Sequence, residues 1–325
     1  MSGGVRTSAG EALPAGGERA EVLFRGEAHV VFAGDSPQGG ALAWSLGMRA
    51  RDASPRVTAR EQPLAVDEGR FYEQMLSAAG VEVRRYRAGV LRRRHDACLR
   101  AVRAANPQEA AAEVAASGAS AERAAASLLI GVTSFFRDSA VFAGLAGHVE
   151  EVWQASRGGV RRALSVGCSD GSELYSLAVI LAERGLLSGS ELWGVDCRGA
   201  AVAHAARGEY SAAAVEGVDE GVRGRWFSPA GAGGAWRVDA GLRSACRWVR
   251  GDAFALPAEV PGAFDLVMCR NLAIYLRPEA AEELWRGLAE RVRPGGLLVV
   301  GKAERPAPSL GLVRVGPCLF RKGGA

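Results

Sequence analysis

Apolar positions along this chain recur at two different periods, and the change of period divides it. From about 67 to 129 they fall at helical spacing. Phe71, Tyr72, Met75 and Leu76 share one side of a helix over 67–76 that Asp67 is placed to cap. A break at Gly80 precedes a second helix over 86–105, with Leu91, Cys98 and Val102 on one face, and Asn106-Pro107 ends it. Two Ala-rich helices follow, near 108–117 and 119–129. Ahead of this helical unit, 1–66 has no sustained period. Residues 1–17 are rich in Gly, Ala and Ser and are expected to be disordered. The runs Val22-Leu23-Phe24 and Val30-Val31-Phe32 predict a hairpin.

After a helix over 139–155 the pattern becomes an alternation of short apolar runs and amphipathic segments. Strand 162–167 leads to helix 172–184, and strand 191–196 to helix 199–206. Residues 209–250 interrupt the alternation with Gly and Trp, and their 236–238 and 247–249 runs predict short antiparallel strands. Alternation resumes with strand 264–269, helix 278–292, a strand at 297–300 after the Pro294-Gly295-Gly296 turn, and final strand runs at 312–315 and 318–320. The economical packing is an α/β domain, a mainly parallel sheet with helices on both faces. The expected division is a poorly defined extension over 1–66, a helical domain over 67–130 and an α/β domain over 131–325.

Composition narrows this picture little. A 48% apolar fraction suits a globular core, and a net charge of +4 is too mild to imply nucleic acid. The distribution of charge says more. Eight arginines lie between Arg84 and Arg103 against one acid, Asp96, which makes either a solvated face or a docking surface for an acidic partner. The six cysteines (98, 168, 197, 246, 269, 318) form no C-x-x-C pair and read as buried thiols of a reducing cytosol. No secretory pattern and no run of eighteen apolar residues occurs, so a cytoplasmic protein without membrane insertion is expected. His29, His95, His148 and His204 share no motif, and no metal site is expected.

Candidate chemistry is concentrated after strand 162–167. Gly167-Cys168-Ser169-Asp170-Gly171-Ser172-Glu173 is a glycine-cornered turn opening a helix, and Asp196 ends the next strand. That is a nucleotide-cofactor layout without the G-x-G-x-x-G of dinucleotide sites. Asp170 and Glu173 at a helix N-terminus repel a pyrophosphate but suit a cationic ligand that carries no phosphate. S-adenosylmethionine is such a ligand. Asp196 suits its ribose hydroxyls, and Asp252 in Arg250-Gly251-Asp252-Ala253 suits its adenine amino group.

At this point the chain resembles the CheR-type chemotaxis methyltransferases, over about residues 67–322. Thr133-Ser134-Phe135-Phe136-Arg137-Asp138 stands for the family's T-x-F-F-R-D, and 167–176 for its G-C-S-x-G-E-E-P-Y-S. Phe264-Asp265 through Cys269-Arg270-Asn271 to Tyr275-Leu276 matches F-D-x-I-x-C-R-N-V-x-I-Y-F, and Gly301-Lys302-Ala303-Glu304 matches G-x-S-E. The resemblance implies a Rossmann-like class I methyltransferase sheet with a small inserted β-subdomain at about 209–250. It also implies methylation of glutamate side chains of chemoreceptors. By the same resemblance Gly131, Thr133, Arg137, Gly167, Glu173, Asp196, Asp252, Ala253, Arg270 and Asn271 fall at cofactor positions, and Arg137 and Tyr275 beside the reacting methyl and carboxylate.

Four positions depart from the pattern. Gly131 replaces the usual Asn, Ser172 and Leu174 replace Glu and Pro, and Asp252 stands where Asn is common. The segment 228–235 looks short for a receptor-tail tether. The implied partner is an acidic helical bundle of a chemoreceptor-like protein, met by the basic helix around Arg92, Arg93, Arg94 and Arg100, and the chain is expected to act as a monomer. The alternatives are a small-molecule methyltransferase of the same fold and a CheR-like regulatory module that binds without catalysis. For a carboxylate acceptor no general base is needed, because it is an anion at neutral pH.

Overall fold

The computed structural model describes residues 22–24, 28–30, 62–155, 159–231 and 233–324. The chain separates into two compact units, Met1–Val57 and Thr58–Ala325. In the first, β1 (Val22–Phe24) pairs antiparallel with β2 (Ala28–Val30), Val22 opposite Val30. The predicted hairpin is therefore tighter than its apolar runs suggested. Val31 and Phe32, like the 1–17 segment, lie outside the described residues.

The second unit begins with four helices, α1 (Val66–Leu76), α2 (Ala88–Val102), α3 (Pro107–Ala116) and α4 (Gly118–Leu128). The carboxylate of Glu68, not that of Asp67, closes the start of α1, accepting from the Ala65 backbone N at 2.9 Å. Asn106 caps α3 by accepting from the Glu109 N at 2.9 Å, and Pro107 sits at the first position, where its missing N–H costs nothing. Phe71, Tyr72, Met75, Leu91, Cys98, Val102, Ala124 and Leu128 interlock in one apolar cluster. The helical period thus reports a real buried face.

Beyond α5 (Ser139–Ala155) comes the sheet. Its strands are β3 (Arg161–Val166), β4 (Ser190–Asp196), β8 (Cys246–Arg250), β9 (Phe264–Cys269), β10 (Val292–Val300), β11 (Leu312–Gly316) and β12 (Leu319–Lys322). They lie in the order β11-β12-β10-β9-β3-β4-β8. All neighbours from β10 to β8 are parallel, and β12 runs antiparallel to both β10 and β11. Every residue of β9 is buried, as is Leu297–Val300 of β10. Such strands are covered on both faces and read as continuous apolar runs, each large side chain contributing about 1.5–3 kcal/mol of burial. The covering helices include α6 (Ser172–Glu183), α7 (Gly199–Arg207) and α8 (Pro278–Arg291).

A separate antiparallel sheet, in the order β5-β7-β6, is formed by β5 (Glu209–Tyr210), β6 (Phe227–Ala230) and β7 (Ala235–Val238). The predicted class, helical N-terminal region plus class I methyltransferase sheet with a small antiparallel sheet, is what the architecture shows. One strand differs. The 247–249 run, read as antiparallel, lies in β8 and pairs parallel with β4, Trp248 opposite Gly194. It is the edge strand of the main sheet, half-exposed, and so carries the mixed pattern of a surface hairpin. The Pro294-Gly295-Gly296 turn also falls inside β10, as a register shift between Val292 and Leu297.

Candidate active site

The chain reverses direction across the sheet between β3 and β9, and open α/β sheets bind ligands at the carboxyl ends of the strands at such a point. A cavity lies there. Its floor comes from four strand ends: Gly167 and Ser169 after β3, Asp196 and Arg198 after β4, Asp252 and Ala253 after β8, Arg270 and Asn271 after β9. Its wall comes from Gly131, Thr133 and Arg137 in the linker, Tyr275, and Val81, Tyr86 and Val90 of the helical region. All eleven residues singled out by motif therefore face one cavity of about 80 Å³.

Arg270 is the hub of its buried side. With 1% of its side chain exposed, it donates to Glu173 Oε2 at 3.1 Å, the Arg137 carbonyl at 2.8 Å and Asp138 Oδ2 at 2.9 Å. Ser165 Oγ donates to the other Glu173 oxygen at 2.9 Å. Burial pushes the Glu173 carboxyl up, against the pull of Arg270. Lys302 Nζ reaches Asp138 Oδ1 at 2.7 Å, and this bond holds Asp138 below the usual carboxylate range while burial opposes it. The clamp matters because Phe136 and Asp138 have φ of +51° and +61°, a left-handed backbone that side chains disfavour. Phe136 N also donates to Ser176 Oγ at 2.9 Å. Phe135 is buried edge-on against Tyr210 and Phe227 of the small sheet, at centroid distances of 4.8 and 5.1 Å.

Arg137 is then left at the cavity wall, its Nη1 donating to the Val132 carbonyl at 2.7 Å. The neighbouring acids Asp138 and Glu173 are not salt-bridged to Arg137. Arg270 takes both acids instead, because β9 delivers its guanidinium between them.

Asn271 has φ +58° and is held by Glu304, whose carboxylate accepts from the backbone N of Asn271 and Ala273 at 2.8 Å each and of Gly301 at 2.7 Å. Tyr275 sits in the short turn Ala273–Tyr275. That turn is stitched to the helical region: Arg87 N donates to the Tyr275 carbonyl at 3.0 Å and Arg277 N to the Arg85 carbonyl at 2.8 Å. Arg85 also pairs with Asp252 at 3.3 Å and lies 3.9 Å over the Phe254 ring. Burial raises the Asp252 carboxyl, opposed by the Phe254 backbone bond and Arg85. At the remaining corner Asp196, 5% exposed, is bonded by Ser169 and Arg198.

The expected basic helix is only partly available. Arg92 pairs with Glu68 at 2.7 Å, and Arg94 donates to the Ser127 carbonyl at 2.8 Å. Arg93, Arg100 and Arg103 remain on the exposed side. Beside the cavity a groove of about 620 Å³ is lined by Arg84, Arg87, Arg93 and Arg277 over Val83, Val90 and Ile274. Cysteine chemistry is not offered here. All six cysteines are free, and burial raises the cavity-lining Cys197 thiol to about 12. No group of metal-ligating side chains occurs among the described residues, and no described helix is long and apolar enough to cross a membrane.

Sequence reasoning missed Arg198, Tyr86 and the holding role of Glu304. Glu304 was visible in its motif. Arg198 and Tyr86 carried no local signal, since only the fold brings them to the cavity.

Strand order, the glycine corner and the acids at successive strand ends define a class I methyltransferase that uses S-adenosylmethionine. The family model described as CheR methyltransferase, SAM binding domain, matches residues 131–309. A probable chemotaxis protein methyltransferase of Rhizobium etli is 32% identical over 198 residues, 58% of this chain and 73% of that protein. The chemotaxis protein methyltransferase Cher2 of Pseudomonas putida is 29% identical over 53% of this chain and 65% of its own. An uncharacterized 104.1 kDa protein of Rhodobacter capsulatus is 32% identical over 54% of this chain but only 19% of its own length. The chain belongs to the CheR methyltransferase family, as the motifs implied. Its matches span from 19% to 73% of these relatives.

The residues present fit the cofactor in chemistry. Three carboxylates, Glu173, Asp196 and Asp252, face the cavity, which suits a cationic nucleoside. In size the fit needs a rearrangement, since ligand pockets ordinarily begin near ~300 Å³.

Proposed function

We propose that this protein transfers a methyl group to glutamate side chains of a chemoreceptor-like signalling protein, acting in the cytoplasm. The observation that carries this is the convergence of Arg137 and Tyr275 on the cavity that also holds Asp196 and Asp252. S-adenosylmethionine supplies an electrophilic methyl on a sulfonium.

A glutamate carboxylate is already an anion at neutral pH, so the chain needs no general base. It must position and desolvate the acceptor. Arg137 offers a fork of donors for that carboxylate. Its Val132 carbonyl bond loosens that grip, which is favourable because a tight ion pair holds the charged ground state over a transition state that is losing charge. Tyr275 orients the acceptor through its hydroxyl. Glu173 and Arg270 act one step back, fixing the Phe135-Phe136-Arg137 turn. The arginine-lined groove beside Tyr275 supports an acidic, helical acceptor over a small molecule.

The test is incubation with radiolabelled S-adenosylmethionine and acidic chemoreceptor helices, followed by alkaline release of methanol. Base-labile label on glutamate, lost on Arg137→Ala while S-adenosylhomocysteine still binds, is the expected result. Label that persists in Arg137→Ala removes Arg137 from the chemistry. Measurable ligand binding with no label on any receptor favours the non-catalytic module instead.

A further inference from the structure

Asp196 is saturated on both oxygens. Its Oδ1 accepts from the Arg198 backbone N at 2.9 Å and from Arg198 Nε at 3.0 Å. Its Oδ2 accepts from Ser169 N at 2.9 Å and from Arg198 Nη2 at 3.1 Å. A carboxylate offers about four lone-pair sites, so a ligand finds none free. Two of these four donors are backbone groups fixed by the loops, and the Cys197 thiol adds a weak contact to Oδ1 at 4.0 Å. The other two belong to one side chain and fall on different oxygens. If the guanidinium leaves, one site opens on each oxygen at once, which is what two vicinal hydroxyls require.

Gly131 supplies an independent observation. A Cβ placed there lies 1.8 Å from Arg198 Nη1 and 2.4 Å from its Cζ. The guanidinium thus fills the volume that any side chain at 131 would need. It is 14% exposed, packed into the site and not extended into solvent. Gly131 and Arg198 both line the 80 Å³ cavity.

We propose that Arg198 is an affinity-setting plug of the cofactor pocket. Its guanidinium sits on the ribose-diol acceptor sites of Asp196, in space that Gly131 leaves open, and must swing outward before a nucleoside ligand is bound. This rests on reading Asp196 as the ribose acceptor. A ligand then meets the competent pocket only in the fraction of molecules whose Arg198 has moved, and its apparent affinity falls by that fraction. The residue sets affinity and takes no part in methyl transfer.

The test is calorimetric titration with S-adenosylhomocysteine. Arg198→Ala is expected to tighten binding by roughly tenfold or more, as a plugged fraction of nine-tenths requires. Gly131→Ala adds one methyl and no hydrogen-bonding group, keeps the arginine, and evicts its guanidinium; it tightens binding as well. In the Arg198→Ala background it adds nothing, because the two changes remove the same obstruction. An unchanged or raised Kd in Arg198→Ala, with wild-type binding measurable, overturns the plug and leaves the cofactor reading intact. Additive gains overturn the shared space. Should Arg198→Ala not fold, Gly131→Ala alone decides, and an unchanged Kd there rejects the plug. Absence of binding in every chain rejects the reading of Asp196 together with the plug.

Discussion

Glu173 and Asp196 are both acids beside the carboxyl ends of neighbouring strands, both buried or nearly so, and both bonded by an arginine. They differ in where that arginine comes from. Arg270 reaches Glu173 from β9, and the same guanidinium also holds the Arg137 carbonyl and Asp138, so it cannot leave without undoing the turn that presents Arg137. Arg198 reaches Asp196 from two residues along the same loop. Its withdrawal leaves Asp196 two backbone donors, the weak contact of the Cys197 thiol and no broken turn. An ion pair that ties several segments together is architecture. One confined to a single loop is available to be exchanged for a ligand.

The largest effect that separates the two corners is expected from Arg270→Ala. It strands the buried Glu173 carboxylate, while Asp138 keeps Lys302, and a loss on the order of 3–5 kcal/mol in unfolding free energy is expected by denaturant titration. A loss below about 1 kcal/mol, the level of a surface pair, removes Arg270 as hub.

Next comes the exchange of each acid for its amide. Asp196→Asn replaces one acceptor oxygen by a donor, and S-adenosylhomocysteine binding weakens by roughly tenfold to a hundredfold. Glu173→Gln leaves that binding within roughly threefold and costs about 1–2 kcal/mol of stability. The cost is smaller than for Arg270→Ala because burial already penalises the Glu173 charge. Equal binding losses in both amides erase the distinction between the corners.

The smallest effect tests a third arginine pair, at the surface. The Arg92 bond, with help from Ala65 N, lowers the Glu68 carboxyl from 4.5 to about 2. A folded value below the unfolded one means that the stabilisation is complete above about pH 4.5 and fades as pH falls toward 2. Helix content of the protein, followed by circular dichroism, should therefore fall within this acid window, and Arg92→Ala should lose part of that dependence. An acid limb identical in the variant assigns the loss to other carboxylates.

Much of the fold was legible because its signals are local and repeated. Buried parallel strands are continuous apolar runs, as in 264–269, and one-sided helices repeat every three to four residues, as at Phe71, Tyr72, Met75 and Leu76. Strand direction is not local. The 246–250 strand shows a half-exposed pattern equally suited to a hairpin, and only its partner β4 makes it parallel. The motifs likewise pointed to Arg137, Glu173, Asp196, Arg270 and Tyr275, since each stands in a recognisable run of neighbours. They did not say which arginine meets which acid.

The sequence by itself determined the class of the chain and the chemistry it carries: an α/β alternation, a phosphate-averse glycine corner, acids after successive strands, and an arginine beside two phenylalanines. These follow from periods and neighbours along the backbone. Tertiary structure decided how those charges are spent. Arg270 serves Glu173 and Asp138 because β9 lies beside β3, and Arg85 meets Asp252 because the helical region abuts the end of β8. Arg198 fills the space at Gly131, sixty-seven positions earlier in the chain, because the linker lies against the loops that follow β3 and β4. Pairing energies depend on distance and burial, and neither is a property of sequence neighbours.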